Sequence, residues 1–251
     1  MAIPVLALAT LGAGLATTVA LVRAPSRAAA QPLAGLDEFA ALLGLGIDQA
    51  SVTGHRYTLD SDILDALDLA RARSFLAFDV AAARRRIEAL PWIGSAEIAR
   101  VLPGRVAVTV TERKPFALWL DDGKSYLVDV AGRVLGVTRP EDAPAGLPRI
   151  AGEGAPAEAA ALYATLSRYP TVRERLVESE RVGGRRWALR LAGNVLVQLP
   201  PDREALVLES LEAGGALSRL IDGRDRVVDM RAAGRVAVRP AVPLPQQAGS
   251  R

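Results

Sequence analysis

The sequence predicts an α+β protein: a single N-terminal transmembrane helix, a small β-α-α-β-β domain, and a mostly antiparallel β domain carrying helices. Three observations lead there. Residues Ala2–Val22 hold no charged side chain, and a run of that length at ~1.5 Å per residue reaches roughly 30 Å, the thickness of a bilayer core. Between Gly46 and Arg113 the apolar spacing changes from strand-like to helical and back to strict alternation. From Phe116 on, short apolar runs are separated by Asp122-Gly123, Gly183-Gly184 and Gly193-Asn194, the pairs that close tight turns between strands.

Composition narrows the chemistry. The chain has 251 residues, of which 50% are hydrophobic and 24% charged, enough apolar surface for true cores and unlike a disordered chain. Cysteine is absent, which excludes disulfide scaffolds, thiol nucleophiles and every cysteine metal motif. The one histidine, His55, cannot supply a multi-histidine metal site. Lysine occurs only at Lys114 and Lys124, so arginine carries nearly all the positive charge. A net charge of +3 over this length is too mild to imply nucleic acid.

The elements follow in order. The span at residues 2–22 is read as an uncleaved membrane anchor, because no basic segment precedes it as in a signal peptide. Arg23 and Arg27 follow it, so charge alone would place the bulk of the chain on the cytoplasmic side. Residues 23–44 are a juxtamembrane linker. A first domain spans 45–114. Ile47–Thr53 reads as a strand closed by Gly54. Ser61 is the expected N-cap of a short helix through Ile63, Leu64, Leu67 and Leu69. Phe75 to Phe78 forms an apolar patch. Asp79 caps a second helix, Val80–Leu90, whose Arg84-Arg85-Arg86 face is solvated, and Pro91 ends it. Trp92 is expected in the core. Ile93–Val101 is a strand, Pro103-Gly104 a turn, and Val106, Val108 and Val110 one face of a half-buried strand.

A second domain spans 115–240. Phe116–Leu120 and Ser125–Val130 form a hairpin, and Val134–Thr138 a further strand. Arg139–Pro148 is a loop. Pro156–Tyr169 is a helix with Ala160, Leu162, Tyr163 and Leu166 inward. Leu176–Val182, Arg185–Leu191 and Val195–Leu199 are strands, and Pro201-Asp202 opens a helix to about Leu220. Arg226–Met230 and Arg235–Arg239 close the domain. The Pro/Gln/Gly-rich residues 241–251 are a flexible tail.

Several spacings coincide with one family. Val52-x-Gly54, Phe75-x-x-Phe78-Asp79, Leu90-Pro91-Trp92-Ile93, Ala96-x-Ile98-x-Arg100-x-x-Pro103, and above all Glu112-Arg113-x-Pro115-x-Ala117 resemble the POTRA domain of the FtsQ/DivIB cell-division family. Val228-Asp229-Met230-Arg231 with Arg235 to Pro240 is similar to the last strand pair of that family's β domain, so the resemblance covers about residues 45–240. It implies an extracytoplasmic location for the folded part, opposite to the reading from Arg23 and Arg27. Family members carry a basic segment ahead of the span, which the present sequence lacks.

Candidate catalytic groups are few. His55 with Asp60, Ser61 and Asp62 nearby in sequence is read as an exposed turn histidine rather than part of a triad. Asp121-Asp122 are hairpin residues rather than paired acids. No catalytic, cofactor-binding or metal residue is assigned, and no cofactor, small-molecule substrate or nucleic acid is expected. The resemblance implies a non-enzymatic bitopic scaffold of the divisome in the cell inner membrane at the septum, linking early and late division proteins. The alternatives are a POTRA-bearing transport or assembly component, or a membrane-anchored extracytoplasmic enzyme. The partners it implies are FtsB/FtsL-type proteins and other septal membrane proteins. The expected docking element is the last strand, where a sheet edge accepts an added strand. Its candidate residues are Arg231, Gly234, Arg235, Ala237 and Arg239, with Val236 and Val238 turned to the core.

Overall fold

The structure, a computed structural model, describes residues 45–72 and 74–241. The expected anchor, most of the linker and the tail lie outside those residues, and no helix within them is long and apolar enough to cross a membrane. The chain divides into two compact units between Arg113 and Lys114.

The first unit holds β1 (Gln49–Thr53), α1 (Asp60–Leu67), a 3-10 turn (Leu69–Arg71), α2 (Val80–Glu88), β2 (Ile93–Val101) and β3 (Arg105–Glu112). Its three-stranded sheet has the order β1-β3-β2, with β1 parallel and β2 antiparallel to the central β3. The alternation read in the sequence puts Val106, Val108 and Val110 on one face of β3, against Ala50 and Val52 of β1. Ile63 and Leu67 of α1, and Ala83 and Ile87 of α2, close over that face with Phe75 and Phe78. Each large aliphatic side chain fully buried here contributes about 1.5–3 kcal/mol.

Local signals set the helix ends. Asp79 caps α2, its carboxylate accepting the Ala82 N–H at 2.9 Å. Ser61 does not cap α1: the helix starts at Asp60 with Leu59 at its N-cap, two residues earlier than expected, and the Ser61 hydroxyl donates to Asp62 at 3.4 Å. The arginine face of α2 is exposed, yet Arg86 is not merely solvated. Its guanidinium donates to the Ala66 and Leu67 carbonyls at 2.7 and 2.8 Å, satisfying carbonyls that the end of α1 leaves open. Leu76, inside the expected apolar patch, points to solvent.

The second unit holds β4 (Ala117–Asp121), β5 (Lys124–Val128), β6 (Val134–Thr138), β7 (Arg149–Ala151), α3 (Ala155–Leu166), α4 (Pro170–Arg175), β8 (Leu176–Val182), β9 (Arg186–Leu191), β10 (Val195–Gln198), α5 (Glu204–Leu211), a 3-10 turn (Ser218–Leu220), β11 (Arg226–Asp229) and β12 (Ala237–Pro240). All its strands join one nine-stranded sheet in the order β12-β11-β10-β9-β8-β7-β4-β5-β6. The β4·β7, β7·β8 and β10·β11 pairs are parallel and the remaining pairs antiparallel. Trp187, Leu189 and Leu191 of β9 meet Leu162 and Leu166 of α3 and Leu208 and Leu211 of α5 in one core. The helix α3 turns Ala159 inward where Ala160 was expected. The helix α5 ends at Leu211 rather than near Leu220, because Gly214-Gly215 follows: Gly214 takes a positive φ, and a Cβ on Gly215 would collide with the Ser210 carbonyl.

Candidate partner-binding edge

The last strand sits where the sequence reading needs it, at the outer edge of the nine-stranded sheet. It begins at Ala237, two residues later than expected. It pairs with β11 in the register Asp229↔Ala237, Val228↔Val238, Val227↔Arg239 and Arg226↔Pro240. The Ala241 N–H donates to the Asp225 carbonyl at 2.8 Å, which continues that register and marks a hydrogen-bonded pair. Bonded and non-bonded pairs alternate along an antiparallel ladder, so Ala237 and Arg239 also turn their backbone groups toward β11. The Met230 N–H donates the other way, to the Gln198 carbonyl on the β10 side at 3.1 Å, in keeping with the same alternation. The N–H and C=O of Val238 therefore point away from the sheet. So does the carbonyl of Pro240, which has no N–H to offer. Val236, just ahead of the strand, has the same parity.

The five candidate residues do not form one cluster of waiting cations. Arg231 is already used: its Nε and Nη2 donate to the Asp229 carboxylate at 2.9 and 2.6 Å. That bond, with the nearby charge of Arg239, holds the Asp229 carboxyl below its ordinary pKa. Gly234 sits in the turn between the strands at φ 67, with open space where a Cβ would be. The Arg235 N–H donates to the Ala232 carbonyl at 3.3 Å, closing that turn. Ala237 and Arg239 lie in β12 itself.

Val236 and Val238 lie on the expected side but are not buried in the core. They are 39% and 50% exposed, whereas Val228, directly across from Val238, is fully buried. Period two places the two valines on the core side, but β12 overhangs the core's margin. Beside them lies an apolar groove of about 400 Å³, lined by Leu206 and Val207 of α5, Leu217, Met230 and Val236. Leu206 is 63% exposed. An apolar helix residue turned outward beside an open strand is the sequence signal for this groove, and it needs the faces of α5, which the reading of that helix did not assign.

The remaining candidate groups resolve into structure. His55 is not an exposed turn residue: its side chain is 12% exposed and its Nε2 lies 2.5 Å from the Asp60 carboxylate. Ser61 does not complete that pair, since its hydroxyl donates to Asp62. Asp122 and Gly123 both take positive φ in a two-residue turn. No group of three or more His, Asp or Glu that could hold a metal occurs among the described residues. Trp92 is not in the core. It stacks on Tyr57 at 4.5 Å between ring centroids, and Arg56 lies over the Tyr57 ring at 5.3 Å. The motif residue Glu112 fixes that loop by accepting the Tyr57 N–H at 2.9 Å and the Thr58 N–H and hydroxyl at 2.8 Å. Arg113 donates from Nε to the Ile93 carbonyl at 3.1 Å.

The family model for the POTRA domain, FtsQ-type, matches residues 45–113, and that for the cell division protein FtsQ/DivIB, C-terminal, matches residues 117–231. The second match stops at Arg231, short of β12. The cell division protein FtsQ of Caulobacter vibrioides (strain NA1000 / CB15N) is 32% identical over 232 residues, covering 92% of this chain and 76% of that protein. FtsQ of Rhizobium meliloti (strain 1021) is 34% identical over 195 residues, 78% of this chain and 63% of its own length. The solved major extracytoplasmic domain of the trans isomer of DivIB from Geobacillus stearothermophilus is similar at 18% identity with a TM-score of 0.30, over 45% of this chain and 96% of that one. At that score the likeness is too slight to bear on the fold. Two family models that together cover most of the chain, and a relative at 32% identity along 92% of it, leave one conclusion: the chain belongs to the FtsQ/DivIB family of cell division proteins.

Proposed function

We propose that this chain is a non-enzymatic scaffold of the divisome, anchored in the cell inner membrane through residues 2–22, with its folded units on the periplasmic side at the division septum. There it links early and late division proteins. Its second unit takes up an extended segment of an FtsB-type partner, itself joined to an FtsL-type protein, along β12. The observation that carries the reading is the terminal edge strand whose Val238 N–H and C=O face outward. An added strand gains backbone hydrogen bonds there. Pro240 limits the pairing at the strand's C-terminal end, since it has no N–H. Beyond the other end lies the groove beside Leu206, of a size to receive a bulky apolar side chain from the partner. Gly234, with open space over its Cα, leaves room for a second backbone to approach.

The experiment is a pair of fusions after Pro240, to a reporter active only in the periplasm and to one fluorescent only in the cytoplasm, imaged in dividing cells. Periplasmic activity with enrichment at the septum is the expected result. Cytoplasmic fluorescence, or an even distribution along the envelope, overturns the scaffold reading.

A further inference from the structure

The first unit has an open sheet edge of its own, and its chemistry points to a specific occupant. β2 is nine residues long and lies at the margin of the β1-β3-β2 sheet. Its backbone parity is fixed by three contacts. The Ala96 N–H donates at 3.2 Å to the carboxylate of Glu88, a residue of α2 and not of β3. The Arg113 N–H reaches back to the Trp92 carbonyl at 2.7 Å, so odd-numbered residues of β3 face β2. A Cβ on Gly54 would strike the Val110 carbonyl, so even-numbered residues of β3 face the other way, toward β1. Glu97, Ala99 and Val101 of β2 thus bond to β3, while Ala96, Ile98 and Arg100 turn their N–H and C=O groups outward.

Glu88 is out of place by the rules for helices. It is the last residue of α2, where a negative charge opposes the helix dipole. What it does there is occupy the one outward N–H that lies within its reach. Open edges are protected by such charged groups, and Glu88 covers only Ala96. Among the described residues nothing covers Ile98 and Arg100 along the same edge.

We infer that this edge receives a second copy of itself, the two β2 strands pairing antiparallel about Ile98. In that register Ile98 meets Ile98 of the second copy, and Ala96 lies opposite Arg100, each pair exchanging two backbone hydrogen bonds. Ile98 is partly exposed at the rim of the core, so the symmetric contact covers apolar surface. The Arg100 of one copy arrives beside the Glu88 of the other, which gives up the Ala96 N–H and gains a guanidinium. Arg100 spends Nη2 on the Phe78 carbonyl at 2.7 Å, and a guanidinium has further donors for a carboxylate. The register one step back, Ala96 opposite Ile98, would set Glu97 directly against Glu97, and like charges opposed across a ladder are destabilising. The charges and the backbone donors select the same alignment.

The test uses the full chain, which contains no cysteine, so introduced thiols are unique. In the proposed register Glu97 lies opposite Ala99 in a non-bonded pair, with Cα atoms about 4.5 Å apart, within reach of a disulfide. A mixture of separately tagged Glu97→Cys and Ala99→Cys chains should form mixed disulfide dimers several-fold more readily than either alone. Glu88→Arg and Arg100→Glu should each weaken self-association by about tenfold, the two symmetry-related charge pairs lost together amounting to about 1.4 kcal/mol, and the double variant should restore it. Sedimentation measures the association, and urea unfolding verifies that each variant is folded. Mixed chains that cross-link no better than single ones, or a double variant no tighter than the singles, overturn the inference. Cross-linking of β2 to a different septal protein instead would assign the edge to that partner and equally overturn it.

Discussion

Removing the Glu112 carboxylate should loosen the first unit by an amount its contacts define. That carboxylate accepts two backbone N–H groups and one hydroxyl from Tyr57 and Thr58. A hydrogen bond to a charged group contributes ~1.5–3 kcal/mol, but the site is partly solvated and water replaces some of what is lost. Glu112→Ala should therefore cost ~2–4 kcal/mol in total, and Glu112→Gln, which keeps one acceptor, about half of that. Partial burial pushes this carboxyl up, yet the bonds from the Thr58, Arg56 and Tyr57 backbone and the Thr58 hydroxyl outweigh it and hold its pKa below the ordinary value. A depressed pKa makes the contribution complete above the unfolded-state pKa of about 4.3, and the contribution disappears as pH falls through the folded value. The assay is urea unfolding followed by Trp92 fluorescence, with Trp119 and Trp187 replaced by Phe so that the first unit alone reports. An unchanged midpoint at pH 7, or a loss that persists undiminished in strong acid, would refute the reasoning.

Two further outcomes follow from the same unit. Trp92→Ala should cost only ~1–2 kcal/mol, because the ring stacks on the half-exposed Tyr57 rather than filling the core, where such truncations cost ~3–5 kcal/mol; unfolding in urea followed by circular dichroism measures it. Gly54→Ala should cost ~3 kcal/mol or more, since the residue holds φ 90 and its new methyl would meet the Val110 carbonyl; a variant that melts like the wild type would place Gly54 elsewhere.

Where periodicity was long and turn chemistry explicit, the sequence was a sound guide. The limits of β2, β6 and β8 coincide with those read from alternation, and Asp122-Gly123 closes its hairpin with both residues at positive φ. β7 was invisible because three residues after Pro148 carry no period, and its partners on both sides are parallel and distant in sequence. α4 was missed because Pro170 begins a helix of one and a half turns rather than ending the one before. Trp92 was misplaced because position after a helix stop says nothing of which face the ring meets. The Glu112-Arg113 motif was legible as a family mark, but its work as a loop clamp depends on Tyr57 and Thr58, more than fifty residues upstream. For the site, the edge position of the last strand was legible. Its outward donors were not, since their parity depends on the contacts of Ala241 and Met230.

That parity supplies the decisive measurement. Proline at Val238 removes an N–H that faces away from the sheet, whereas proline at Ala237 removes one that bonds to β11. Binding of an FtsB-type partner to the full chain, by titration calorimetry, should weaken about tenfold or more for Val238→Pro, a loss of one hydrogen bond plus a steric obstacle to the incoming strand. Its unfolding free energy should stay within about 0.5 kcal/mol of wild type, while Ala237→Pro should lower that free energy. Wild-type affinity in a folded Val238→Pro chain would contradict strand addition at β12.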